Sequence, residues 1–314
     1  MAHSNTASST AAGTTSASSA LTRSVLVTGA TGGLGRAVVR RLAAEGWTVH
    51  AGVRRDPGAD LSPWRTTADR SRTEGPYAGE IRPVVFDVTD EASVRAAAER
   101  IGGRLDALVN SAGLITQGFW EQVPDEALRR QFEVNVTGLM TVTRAMLPAL
   151  RATGGRVVNI GALSSLVALP YFGPIAASKA ALASLSDSLR LELRHQGVTV
   201  SLVEPGAMDT EIFERAEAAA RADGLAGGPA TERTYDRALT GARAALAAQK
   251  LRPVDPAVAA VHHALTARRP RARYLVGPDA RTLRVLRRLP RPVRDRLLLN
   301  ALKLGPAAFA QVGA

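Results

Sequence analysis

The chain contains no cysteine, which excludes disulfides, thiol catalysis and any metal site built on thiolates. Its histidines offer no metal site either. His3, His50, His195, His262 and His263 lack ligand spacing with a carboxylate partner and read as surface residues. No metal is therefore expected. Long apolar runs are missing too: no segment reaches the roughly 18 consecutive apolar residues of a membrane-spanning helix. Residues 1–20 are almost entirely Ala, Ser, Thr and Gly, without the basic start and apolar stretch of a signal peptide. Such a segment buries too little apolar surface to offset ordering, so a disordered tail is expected. The default expectation is a soluble, cytoplasmic protein. Aromatic residues are scarce and Ala and Arg abundant, which reads as a coding bias and not as a functional signal.

Charge is present in excess. The formal net charge is +12, a value that raises nucleic acid or a membrane as a partner. Its location decides between them. From Arg268 to Lys303 there are twelve Lys and Arg against Asp279 and Asp295, a net +10 (12 − 2). The body is close to neutral, which argues against a DNA-reading domain, and no nucleic-acid partner is expected.

The body, 21–280, alternates strands with helices. Short apolar runs predict strands at Ser24–Thr28, Thr48–Val53, Pro83–Phe86, Ala107–Val109, Arg156–Ile160, Val198–Val203 and Arg273–Val276. Helical spacing predicts helices at Arg36–Glu45, ended by Gly46, and at Glu91–Ile101 behind a Thr89-Asp90 cap. Two more are expected at Asp125–Leu150, in one or two pieces, and at Ser178–His195. Asp56 to Glu80 reads as a surface excursion. Thr210 to Leu251 reads as helical, where a doubly wound fold places elements that cover a ligand. The pattern implies a Rossmann-type α/β fold of about seven parallel strands with helices on both faces.

Between the first strand and its helix lies Thr28-Gly-Ala-Thr-Gly-Gly-Leu-Gly35. Glycines there let the backbone turn sharply and approach a pyrophosphate, while the helix N-terminus supplies amide donors and partial positive charge. This TGATGGLG resembles the TGxxxGxG motif of short-chain dehydrogenases/reductases, with Gly29, Thr31, Gly33, Leu34 and Gly35 as cofactor-binding residues. Further matches follow in order. Asp87-Val88 resembles the pair beside the adenine. Asn110-Ser-Ala-Gly113 resembles NNAG, bringing Asn110, Ala112 and Gly113 to the cofactor. Asn135 sits where the family has its helix-bending Asn. Ser178-Lys179 matches the end of YxASK. Pro205-Gly206 follows the sixth strand, with Thr210 where a hydroxyl meets the nicotinamide amide. The resemblance spans about 23–277. SDSLRLEL (186–193) and VGPDA (276–280) are similar to the hydroxysteroid-dehydrogenase-like branch.

An acid at the end of the second strand would bind the adenosine ribose hydroxyls and repel a phosphate. That place holds Val53, followed by Arg54-Arg55. Arginine suits a 2′-phosphate through forked, charge-assisted hydrogen bonds. The expected cofactor is NADP(H), with Arg54 on the phosphate.

The resemblance also implies a mechanism. A tyrosine hydroxyl exchanges the proton, a lysine lowers its pKa and binds the nicotinamide ribose, a serine holds the substrate oxygen and an asparagine supports a water relay. Lys179 and Asn135 match the lysine and the asparagine. The tyrosine belongs four residues before Lys179, where Ile175 stands, and the serine thirteen before that, at Ala162. Losing a general acid costs about 10²–10⁴-fold in rate. Tyr171, Ser164 and Ser165 are the nearest substitute hydroxyls, with Tyr171 the candidate acid.

Three readings stand. The first is an NADPH-dependent ketoreductase acting on a hydrophobic carbonyl substrate such as a polycyclic aromatic polyketide, with the proton from substrate or water. The second is a reductase using Tyr171. The third is a cofactor-binding pseudoenzyme, scaffold or cyclase-like helper without redox chemistry. The basic segment 281–314 carries leucines among arginines, and Pro290 and Pro292 divide it into two short amphipathic helices. It is a candidate lid over the substrate mouth, a candidate contact with an anionic membrane surface, or a solvated end. The family resemblance implies a homodimer or homotetramer through the two long helices.

Overall fold

In the computed structural model, residues 22–58, 60, 62–64, 78–224, 228–248, 250–305 and 308 are described. The expected tail at 1–20 and most of the excursion after Asp56 lie outside them. The strands are β1 (Ser24–Val27), β2 (Thr48–Val53), β3 (Glu80–Val85), β4 (Ala107–Asn110), β5 (Arg156–Ile160), β6 (Thr199–Pro205) and β7 (Arg273–Val276). They form one parallel sheet in the order β3-β2-β1-β4-β5-β6-β7. The order reverses between β1 and β4, and a doubly wound sheet opens a ligand crevice at the carboxyl ends of such a pair.

The helices α1 (Gly33–Ala44), α2 (Glu91–Ile101), α3 (Asp125–Phe132), α4 (Leu139–Arg151), α5 (Gly173–Glu192) and α8 (Asp255–Thr266) cover the two faces. α6 (Ile212–Asp223), α7 (Gly228–Ala247), α9 (Asp279–Leu286) and α10 (Arg291–Ala301) complete the set. Strand side chains alternate between faces, so Val25 and Val27 join a core with Val39, Leu42, Trp47, Val261 and Leu265. Leu26 joins the opposite core with Leu108, Val142, Met146 and Leu150. This is the Rossmann architecture that the strand–helix alternation predicts.

Three departures have physical reasons. β3 begins three residues early, at Glu80, because it pairs with the whole of β2 from Thr48 onward. α5 begins five residues early: Pro174 sits in its first turn, where its fixed φ and missing amide cost nothing. α8 has no counterpart among the expected helices, although Asp255-Pro256 marks its start. His50 corrects the surface reading of the histidines. It lies on β2 and is buried. Burial, with Arg82 nearby, lowers its pKa below the usual imidazole range against a smaller opposing pull from Glu80.

Between α3 and α4 the helix widens into a π turn over Glu133–Gly138. Asn135 sits in it. Such a turn re-aims side chains out of the regular helical positions, and Asn135 is aimed at the loop after β4.

Candidate active site

The loops at the carboxyl edge of β1, β2, β4, β5 and β6 enclose one cavity of about 1370 Å³. Its first half is built by the glycine-rich turn. Gly29 has φ +63°, and a Cβ there would stand 2.8 Å from the Ala112 Cα; one on Gly35 would stand 2.2 Å from the Gly29 carbonyl oxygen. Neither position accepts a side chain. The first-turn amides of Gly33, Leu34 and Gly35 have no intrahelical acceptor, and no side chain caps the N-terminus of α1. Thr28 holds the facing loop, its Oγ1 accepting from the amides of Ser111 (3.0 Å) and Ala112 (2.9 Å). This cradle of amides fits a dinucleotide pyrophosphate.

At the end of β2, Val53 is buried while Arg54 and Arg55 are exposed, and all three line the cavity. Asp87 and Val88 line it opposite. Partial burial pushes the Asp87 carboxyl up, but the Thr89 amide and hydroxyl, together with the charge of Arg54, outweigh it and leave it lowered. Guanidinium groups and no carboxylate at the end of β2 fit a 2′-phosphate.

The centre of the cavity is organised by α5. Ile175 and Lys179 are one turn apart and share a face, and both line the cavity, as does Ala162. Lys179 Nζ donates to the Ile160 carbonyl at 2.7 Å. Burial lowers its pKa to about 8, because a low-dielectric site disfavours the ammonium. Pro205, Gly206 and Thr210 close this end, and the Thr210 Cγ2 lies 2.4 Å from where a Cβ on Gly33 would be.

The cavity wall therefore includes Gly29, Thr31, Gly33, Leu34, Gly35, Arg54, Asp87, Val88, Ala112, Gly113, Lys179, Pro205, Gly206 and Thr210, all named from sequence. Asn110 and Asn135 stand behind it. The buried Asn110 Nδ2 donates to Thr143 Oγ1 and Asn159 Oδ1, both at 2.8 Å. Asn135 Oδ1 accepts from the Leu114 amide and its Nδ2 donates to the Leu114 carbonyl, both at 2.9 Å. Gln131, one turn earlier and missed in the sequence, continues the clamp. Its Oε1 accepts from the Thr116 amide (2.6 Å), and its Nε2 donates to the Leu114 carbonyl and Ser178 Oγ. The signal was available: a second amide four residues before Asn135.

The substitute hydroxyls separate. Tyr171, with φ 71°, has its ring edge-on to Phe119 and Phe172 at 5.6 and 5.5 Å. It belongs to an apolar cluster with Ala238 and Leu304 and is not part of the cavity wall. Ser165 donates to the fully buried Glu204 carboxylate, which Arg273 also pairs. Ser164 lines the cavity.

The model of the short chain dehydrogenase family matches residues 23–221. The chain belongs to this family. It is 31% identical over 294 residues to an NADPH-dependent 3-dehydrocapnine reductase of Ornithobacterium rhinotracheale, covering 90% of this chain and 98% of that one. It is 33% identical over 291 residues to a bovine 17-beta-hydroxysteroid dehydrogenase type 6, covering 88% of each. A short chain dehydrogenase of Burkholderia cenocepacia, solved in complex with NADP, superposes with a TM-score of 0.65 at 28% identity, over 88% of this chain and 98% of that one. The chain is an NADP-dependent oxidoreductase of the short-chain dehydrogenase family.

The rest of the cavity wall is mostly apolar, although Glu126, Arg130, Arg215 and Asp223 also line it, Arg130 and Asp223 as an ion pair. Leu114, Ile115, Val167, Leu169, Phe172 and Phe213 contribute, and α9 and α10 close it with Thr282, Leu283, Leu298, Ala301 and Leu302. The basic segment therefore contributes to the cavity wall. Gln117 and Gln122 also line the wall, and each has one buried amide atom without a partner.

Proposed function

We propose that the chain reduces the carbonyl of a hydrophobic substrate with NADPH, without a protein acid at the family's customary place. The carrying observation is the apolar pair Ala162 and Ile175 in the cavity wall beside Lys179. When bound, NADPH supplies the hydride to the carbonyl carbon. Gly33, Leu34 and Gly35 hold the pyrophosphate on their amides, Arg54 the 2′-phosphate, and Lys179 the nicotinamide ribose. Asn135 and Gln131 act through Leu114 and Thr116, holding the loop that faces the nicotinamide end.

A proton must reach the carbonyl oxygen as the hydride reaches its carbon. Neither Ile175 nor Ala162 carries one. A substrate whose hydroxyl is hydrogen-bonded to its own carbonyl meets the need, because that group activates the carbonyl and takes up the charge. Hydroxylated polycyclic aromatic ketones of polyketide type have this arrangement, and water is the other source. Orientation then carries the catalysis, and well-oriented reactants gain up to about 7–11 kcal/mol over free encounter. The apolar wall and its two glutamine amides suit a hydrophobic compound bearing a few polar groups.

Consumption of NADPH across hydroxyquinones and polyketide ketones, set beside matched ketones lacking the adjacent hydroxyl, tests this reading. Turnover of the hydroxylated members alone is expected. Equal turnover of both sets would overturn the substrate-supplied proton. The double variant Ala162→Ser, Ile175→Tyr is expected to gain reduction of simple ketones.

Ser164 supports a second reading, in which its hydroxyl binds the substrate oxygen from the turn whose neighbour Ser165 is held by Glu204. A Ser164→Ala variant with full activity removes it.

A further inference from the structure

The cover over the substrate mouth has two faces. One carries Thr282, Leu283, Leu298, Ala301 and Leu302 into the cavity wall, and the segment is pinned by Leu304, buried in the cluster of Phe119 and Tyr171. The other presents apolar side chains to solvent: Val285 is 60% exposed, Val293 49% and Leu297 47%. Val293 and Leu297 are one turn apart on α10. A surface helix that is apolar on both sides is unusual unless something covers the outer one.

The charges around these side chains say what covers them. Arg281, Arg284, Arg287 and Arg288 lie on and just after α9, and Arg291 and Arg296 on α10. All six are exposed, and none has an ion pair among the described residues. In that stretch Arg294 alone is paired, with Asp295. Unpaired arginines interleaved with exposed aliphatic side chains match an interface that is anionic at its surface and apolar just beneath. A nucleic acid would use the arginines but leave Val285, Val293 and Leu297 without a role.

We propose that α9 and α10 seat this protein on an anionic phospholipid bilayer, with the substrate mouth against the lipid. A hydrophobic substrate dissolved in the membrane then passes between the two helices into the cavity without crossing water. The inner face selects the substrate and the outer face holds the enzyme where that substrate is concentrated. The docking surface is independent of the proton source proposed above, and its test does not use turnover.

The test is co-sedimentation of the full chain with vesicles of phosphatidylcholine alone and of phosphatidylcholine with about one third phosphatidylglycerol. Binding to the anionic vesicles is expected, weakened by salt. Each basic residue at such a surface is worth about fivefold, so Arg284→Glu with Arg288→Glu is expected to weaken binding by more than tenfold. Val285→Asp with Leu297→Asp is expected to weaken it comparably while the net charge stays well positive. None of these four side chains lines the cavity, so NADPH affinity and thermal midpoint are expected to stay near those of the parent and show that each variant is folded. Sedimentation with neither vesicle overturns the proposal. So does anionic-vesicle binding that survives both double variants. Tight, salt-dependent binding to duplex DNA that is lost with the arginines but kept with the aspartates would assign the surface to nucleic acid instead.

Discussion

The two halves of the cavity are made of different materials. The cofactor half is backbone: turns at the ends of parallel strands, glycines that admit no Cβ, and amides left free at the start of α1. The substrate half is side chain, contributed by the loops after β4 and β5 and by helices that lie outside the sheet. A backbone site has few solutions and tolerates little change. A side-chain site can be refilled many ways, and the difference predicts where substitutions hurt.

The largest effect is expected at Gly35→Ala. Its Cβ would meet the Gly29 carbonyl at 2.2 Å, backbone against backbone, and NADPH affinity measured by fluorescence titration is expected to fall by more than about 100-fold. Retained affinity would break the distinction between the halves. Lys179→Met is next, with kcat expected to fall by about 10²-fold. The Lys179 pKa of about 8 adds a pH dependence: the ammonium is present below that value, so its contribution is lost as pH rises through it. Stability moves the other way. The folded pKa lies below the unfolded ~10.4, so the unfolded chain binds more protons between the two values and Lys179's contribution to stability rises with pH across that window. Thermal melts of the apo protein, with Lys179→Met as the flat reference, check the sign.

Arg54→Glu is expected to weaken NADPH by about tenfold or more, with NADH affected far less, since only the former carries the phosphate that the guanidinium would hold. The smallest effect belongs to the substrate half. Leu283→Ala or Leu298→Ala is expected to change KM a few-fold and leave NADPH affinity unchanged. A loss of cofactor affinity in either would show that the halves are less separate than their materials imply.

The same contrast explains what could be read before the fold was known. β2, α2, β5 and β7 have the bounds their apolar runs predict, and the motif glycines, Arg54, Asp87 and Lys179 all face the cavity. These depend on local backbone geometry, which short sequence patterns report. The NSAG motif points Asn110 at the cofactor, yet its amide turns inward to Thr143 and Asn159. Distance along the chain makes Tyr171 a candidate acid, but a left-handed backbone sends its ring into the Phe119 cluster. His50 reads as exposed in the sequence because a lone polar residue on a strand does not announce which neighbours cover it. Which face of α9 and α10 meets the cavity was likewise invisible, since both faces carry leucine or valine. Direction of a side chain is a tertiary property.

Thr210 joins the two materials. Its methyl group occupies the space that a larger residue at position 33 would need, and the next residue, Glu211, pairs with Arg36 on α1. α6 begins immediately afterwards. The threshold of the substrate chamber therefore rests on the floor of the nucleotide chamber, and a guest in the second trims the doorway of the first. Compulsory order is the expected kinetic outcome, nucleotide before the second substrate, to be read in the pattern of product inhibition.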